Sequence, residues 1–372
     1  MKTSLVLFHQ DALEKFPYLH YIYNAIIDAY SSKGVFKRAS FQEASFQKIA
    51  ADAGDVALFL VEIPMGASLK KKLWEKINYP ALVKQLRPEN IFYLGEHLPI
   101  LKDAKGAKQW SFVPDIRRVT LSGESKPAII KKQQKLSEAL LLADKIVSYS
   151  SVAIESIKTH LPAAASRLVT WLPVPASQYL SPSLYTDALT DAFKEANTND
   201  DSYFLMDARA SAELEVIEFL KAFSHFKKWQ RSSMQLGLLI APSLHQNEGF
   251  IEKFEAYFYR KEVHLLSALD TKTLYSWIHA AYAVVTPYMA DQGLDIQLAT
   301  ASLETLIVAP ETSTSAALLP KARYDLAATD KASLGQVLIS SYKSEILRSR
   351  HIRAGLEAAQ RWEAYEAPNF DI

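Results

Sequence analysis

The chain has 372 residues, 49% apolar and 22% charged, values of a globular protein with room for two α/β domains and cores that need no disulfide or metal staple. Lys and Arg number 42 against 41 Asp and Glu, so the formal charge of +1 carries no electrostatic footprint for a nucleic-acid partner. Cysteine is absent, which excludes disulfides, thiolate metal sites and a cysteine nucleophile and suits a reducing compartment.

The first apolar run, 5–8, is too short for a signal-peptide core, and His9, Gln10 and Asp11 follow at once. It reads as a buried strand. No stretch approaches the roughly 18 apolar residues of a membrane span, so the expected location is the cytoplasm. Further strand-like runs fall at 56–61, 91–94 and 146–148. Such continuous runs suit strands covered on both faces. Between them, 21–30 places Ile22, Ala25, Ile26 and Ala29 on one helical face. The segment 73–86 is interrupted by Pro80, which predicts two short helices or one kinked one. A third helix is expected at 129–143.

Pro173, Pro175, Ser181 and Pro182 make a stiff crossing, and 197–201 is a polar loop. The pattern then restarts. Strands are expected at 203–206, 236–241, 263–266, 283–287 and 305–309. Helices are expected at 212–226, 250–259, 271–281 and 296–302, with a closing helical region from 331 to about 365. Short apolar runs alternating with amphipathic segments are the signature of βα units and parallel sheets. In such sheets ligands bind beyond the carboxyl ends of the strands, at the topological switch point.

Dinucleotide, Walker A, zincin and nucleophile-elbow motifs are all missing, and only 11 glycines are available to wrap phosphates. Helix N-termini can hold a phosphate without a glycine loop. The helix near Asp295 is one such place: Gly293 precedes it, and Asp295 is a natural cap whose charge would also repel an anion there. His97 and Asp115 follow strand-like runs, where site residues gather, although exposed loop residues of these types are common. Asp144 reads as a turn residue. The clusters Lys70-Lys71-Lys72 (followed by Leu73 and Trp74), Lys131-Lys132 and Lys227-Lys228 read as solvated helix faces, the first also compatible with a peripheral membrane contact.

From about Asn90 onward the order of motifs resembles a known family. Leu274-Tyr275, then Ala280-Ala281-Tyr282-Ala283-Val284-Val285-Thr286-Pro287, is similar to the "L-Y-x-x-A-x-x-x-V-x-P-S" segment of retaining, two-Rossmann-domain (GT-B type) glycosyltransferases. The stretch 293–302 resembles their "E-G-F-G-L-P-x-L-E-A-M-A" donor motif, and Thr305-Leu306-Ile307-Val308-Ala309 their "T-P-V-I-A". Residues 143–151 resemble "A-D-x-I-I-x-V-S-x-x-S", and Arg361-Trp362-Glu363 the terminal "F-S-W-E".

The resemblance implies two Rossmann-like domains facing across a cleft, with a C-terminal helix returning to the first. It sets an acceptor-side domain at 1–178 joined by 354–372, and a donor-side domain at 179–353. It implies hexose transfer from a nucleotide-sugar donor to a glycan or other acceptor, with no metal and no further cofactor. The donor-site candidates are Arg209, Tyr288, Asp291, Gln292, Gly293 and Asp295, with Gln297 nearby; His97 and Asp115 are weak catalytic candidates. The departures are specific. The two donor-motif glutamates correspond to Ala290 and Leu298, the diphosphate lysine to Leu214 or Glu213, and the family's histidine before Asp115 to Pro114. Losing one fixed partner of a developing diphosphate charge typically costs ~10²–10³ in rate. The alternative is therefore an inactive relative that serves as a binding or scaffold partner in glycan assembly, with a partner protein of its own.

Overall fold

A computed structural model describes residues 2–8, 13, 17–31, 36–38, 56–62, 74–94, 104, 106–113, 127–175, 177–288, 291–326 and 331–362. The chain divides into two units, 1–172 together with 366–372, and 173–365; the sequence reading placed the boundary at 178.

Among the described residues the first unit carries seven strands: β1 (Lys2–Phe8), β2 (Phe36–Arg38), β3 (Val56–Glu62), β4 (Asn90–Leu94), β5 (Lys108–Phe112), β6 (Lys145–Ser148) and β7 (Leu168–Thr170). They pair in the order β2-β3-β1-β4-β5-β6-β7, every pair parallel. Leu5, Leu7, Phe59, Val61, Ile91, Tyr93 and Ile146 are buried together in one core. Pro80 starts the helix Tyr79–Leu86 directly after a single π turn, Trp74–Asn78. Proline is tolerated in a first helical turn, where its missing N–H has no partner to lose. The predicted break is thus a junction between two helical pieces.

β5 escaped the sequence reading because it has no apolar run. Gln109 and Ser111 are buried on it. They are accommodated because Gln109 accepts from Tyr93 Oη at 2.7 Å and donates its backbone N–H to Asp144 at 2.8 Å. Asp144 is a structural turn residue, as expected. Ser150 caps the helix Ser151–His160 by accepting from the Ala153 N–H.

The second unit holds β8 (Tyr203–Ala208), β9 (Gln235–Ile240), β10 (Val263–Leu266), β11 (Ala283–Val285), β12 (Leu306–Ala309) and β13 (Arg323–Asp325). The order β10-β9-β8-β11-β12-β13 is the 3-2-1-4-5-6 of a doubly wound Rossmann sheet. All its pairs are parallel. Its helices include α1 (Asp187–Thr198), α2 (Glu213–Gln230), α3 (Glu248–Glu255), α4 (Thr271–Ala280), α5 (Leu294–Ser302), α6 (Ser313–Leu318), α7 (Lys331–Lys343) and α8 (Glu345–Ala359). Phe204, Phe223, Phe226, Phe250 and Val308 sit at the centre of one core. Tyr203, Trp277, Ile278 and Ala299 anchor the other.

α8 packs on α5 and β12, and Gly355 lets it approach Ala301 closely enough that an added Cβ would sit 3.4 Å from the Ala301 Cβ; the second unit runs to 365, and 366–372 count with the first unit, in line with the expected return of the C-terminus. Gly355, Ala358 and Trp362 form its buried side. Lys227 is not a solvated lysine. It is 7% exposed, donates to the carbonyls of Ser232 and Met234, and pairs with Glu262. Its long stem lies along the core while its ammonium closes the turn into β9.

Candidate functional site

In a 3-2-1-4-5-6 sheet the strand order reverses between β8 and β11, so the loops after these two strands converge. Asp207 stands near the end of β8, and the loop after it carries Arg209 and Ala210. The stretch after β11 carries Thr286 and Tyr288, then a single 3₁₀ turn, Asp291–Gly293, and α5.

Arg209 is the centre of this convergence. Its Nε donates to Asp207 Oδ1 at 2.8 Å and its Nη2 to Asp207 Oδ2 at 2.9 Å, a bidentate pair. The same Nη2 reaches Asp295 Oδ2 at 3.0 Å and Oδ1 at 3.3 Å. The Arg209 side chain is only 16% exposed, and Asp207 and Asp295 are both buried. Burial works against the guanidinium charge, but the two carboxylates more than offset it and hold its pKa above the ordinary arginine value. Burial pushes the Asp295 carboxyl up; Arg209 opposes this and Asp207 reinforces it. One cation between two acids leaves a surplus negative charge when both are ionised.

Tyr288 closes the cluster. Its hydroxyl accepts from the Ala210 N–H at 2.9 Å and lies 3.4 Å from Asp207 Oδ1, to which it donates. Burial first, and then the Asp207 charge, raises the Tyr288 pKa well above the usual tyrosine value, so it remains a neutral phenol.

The loop's remaining N–H groups are equally engaged. Arg209 N–H donates to Asp207 Oδ1, Ser211 N–H to the Ala208 carbonyl, and Ala212 N–H to Glu215 Oε2. A loop that could cradle an anion with backbone donors therefore spends them internally.

The approach to α5 is tight. Gly293 is the residue before its first turn, and no side chain caps it. A Cβ at Gly293 would come to 3.0 Å from both Thr286 Cβ and Tyr288 Cδ2. Asp295 lies inside the first turn and spends its carboxylate on Arg209, so the expected cap is replaced by an ion pair. The acid still complements the positive end of the helix dipole. Two residues further on, Gln297 is 1% exposed and donates to Thr286 Oγ1 at 2.9 Å, while its Oε1 has no partner among the described residues.

Asp291 is brought near in sequence but serves another purpose. It is 2% exposed and accepts from the hydroxyls of Thr312 at 2.6 Å and Thr314 at 2.8 Å, tying the 3₁₀ turn to the start of α6. Gln292 and Gly293 belong to the same turn. His97, Asp115, Pro114, Ala290 and the Lys70-Lys71-Lys72 cluster lie outside the described residues. Leu298 is fully buried in the core, Leu214 is 73% exposed on the first turn of α2, and Glu213 pairs with Lys253 at 2.5 Å. None of these three supplies a basic group to the cluster. Sequence reasoning picked out Arg209, Tyr288 and Asp295 separately but missed Asp207, which a strand-end acid two residues before an arginine could have flagged. Among the described residues no group of three or more His, Asp or Glu is placed to hold a metal ion, and no helix is long and apolar enough to cross a membrane.

No protein-family model and no curated protein matches the chain. Solved structures do match. One is described as WaaG, a glycosyltransferase involved in lipopolysaccharide biosynthesis, at TM-score 0.69 and 12% identity, covering 98% of this chain and 96% of that one. An α,α-trehalose-phosphate synthase (UDP-forming) from Burkholderia vietnamiensis matches at TM-score 0.62 and 9% identity, over 97% and 96% of the two chains. S. aureus MnaA, solved with UDP, matches at TM-score 0.57 and 12% identity, over 97% and 94%. The fold is thus that of the GT-B glycosyltransferases, two Rossmann-like domains in one chain, and it is shared with epimerases of the same architecture.

Proposed function

We propose that this chain is a glycosyltransferase-like protein that has given up hexose transfer and acts as a binding partner in glycan assembly, in the cysteine-free, reducing setting of the cytoplasm. The observation that carries this reading is the closed Asp207–Arg209–Asp295 cluster. The resemblance assigns Arg209 to the diphosphate of a nucleotide sugar. In this chain two carboxylates take up that guanidinium, Tyr288 takes up the adjacent loop amide, and with both carboxyls ionised the surplus charge is negative. A diphosphate approaching such a group meets repulsion rather than a fixed cation. The usual lysine and glutamates are replaced by residues that offer no compensation.

A second reading keeps transfer from a nucleotide sugar, and one observation favours it: burial raises the Asp295 carboxyl toward its neutral form. With Asp295 protonated or displaced, Arg209 would carry one partner instead of two.

Calorimetric titration with UDP, GDP and their common sugar conjugates separates the two. Under the binding-partner reading no nucleotide binds wild type at neutral pH. Binding by one of them, lost in Arg209→Ala, would overturn it and put an active donor site in its place.

A further inference from the structure

The opposite end of the second sheet carries a different feature. Because all its strands are parallel, the residues that precede each strand share one edge. α2 returns to that edge and ends there, next to the entry to β9. The segment between α3 and β10 lies beside it, since Tyr257 Oη donates to the Leu220 carbonyl and Tyr259 packs edge-on to Phe223. α8 starts there too. Arg348 donates to the carbonyl of Tyr282, the residue before β11, and its guanidinium lies 4.8 Å from the Tyr282 ring centre. Phe226, Tyr342 and Tyr282 make a continuous aromatic contact between the end of α2 and the start of α8.

Six large apolar side chains are exposed among the described residues of this unit, and four are at this edge: Trp229 at 67%, Phe258 at 84%, Ile346 at 85% and Leu347 at 38%. Both exposed aromatics are among them. Around them stand Lys228, Arg231, Lys261, Lys343 and Arg350, all exposed and with no ion pair among the described residues. The exposed acids there are Asp200, Glu255, Glu304 and Glu345; Glu255 is already paired with Arg260 and Glu345 with Arg348. Scattered apolar residues on a surface need no explanation, but aromatics gathered on one edge and ringed by unpaired cations do.

We propose that this edge docks on an anionic bilayer surface. Trp229, Phe258 and Ile346 would sit at headgroup depth, and the five cations would face lipid phosphates. Tryptophan favours the interface because one end of its ring system is apolar and the other carries an N–H. Lysine and arginine beside such anchors add electrostatic attraction that falls off within a Debye length. The surface lies at the far edge of the sheet from the Arg209 cluster and does not depend on the reading of that cluster.

The test is sedimentation of the full chain with vesicles of phosphatidylcholine alone and of equal parts phosphatidylcholine and phosphatidylglycerol. Binding is expected only to the anionic vesicles, and release is expected as salt is raised. Each positive charge removed should weaken binding about fivefold. The double variant Lys228→Glu/Arg350→Glu should therefore abolish it, and Trp229→Ser/Ile346→Ser should reduce it at unchanged charge. Hydrogen exchange of wild type on the vesicles should slow at 228–231, 258–262 and 343–350. Absence of anionic-vesicle binding, binding untouched by both variants, or protection elsewhere would overturn the proposal. So would a dimer in light scattering that Trp229→Ser/Ile346→Ser dissociates, which would assign the edge to a second copy of the chain.

Discussion

Arg209 illustrates how a single side chain changes meaning with its partners. In the sequence it is one arginine after a strand. In the structure its guanidinium bridges Asp207 and Asp295, the latter 86 residues away. A buried pair broken from one side leaves an unpaired charge, which typically costs ~3–5 kcal/mol. Arg209→Met is expected to destabilise the fold by about that much at neutral pH, measured by urea unfolding. The loss should shrink in acid. Without the guanidinium, burial and the Asp207 charge hold the Asp295 carboxyl above its unfolded pKa with nothing to oppose them, so the folded state binds more protons and gains stability as pH falls through the carboxylate range. A loss below about 1 kcal/mol, or one independent of pH, would show that the arginine is not the keystone of the cluster. Gln297 is the opposite case. Its Oε1 is already without a partner, so Gln297→Met removes an orphaned acceptor and should cost less than about 1 kcal/mol, although the residue is completely buried.

At the scale of elements, the decisive piece is the short path from β11 into α5. It must pass Thr286, Tyr288 and the 3₁₀ turn, and still deliver Asp295 to Arg209. Gly293 makes this fit, because a methyl there would press on Thr286 and Tyr288 at 3.0 Å. Gly293→Ala is expected to cost ~1–3 kcal/mol, the usual penalty of overpacking, and to disturb the Tyr288 contact with Ala210. A thermal scan together with the near-ultraviolet tyrosine signal would check this; an unchanged transition would mean that the neighbours yield freely. The same scale shows what the sequence could and could not reveal. Runs of Val, Leu, Ile and Phe announced β1, β3, β4, β8, β9 and β12, because parallel strands covered on both faces are apolar throughout. β2, β7 and β13 have only three residues each, at sheet edges, and β5 mixes buried Gln109 and Ser111 into its strand. Their pairing comes from neighbours rather than from their own composition. α1 and α6 were likewise hidden beneath polar residues and short length.

At the scale of the molecule, the second unit, Pro173–Tyr365, contains a complete six-stranded sheet with its own cores on both faces. A fragment of residues 173–365 is therefore expected to fold alone and unfold in one transition of about 5–15 kcal/mol, with circular dichroism and tryptophan fluorescence coinciding. Separated transitions, or a fragment without a fixed near-ultraviolet spectrum, would mean that its stability is borrowed. The amino-acid order by itself determined the two-fold α/β rhythm, the approximate positions of most buried strands and the resemblance to GT-B glycosyltransferases, because periodicity and apolar runs are local properties of a chain. Only the tertiary structure decided that Arg209 is held by Asp295, that Asp291 is spent on Thr312 and Thr314, that Lys227 is buried and that α8 packs on α5 and β12. Those outcomes depend on which residues distant in sequence meet at the reversal of a sheet or the face of a helix. The free energy of a buried charge is set by such partners and not by the residues beside it in the chain.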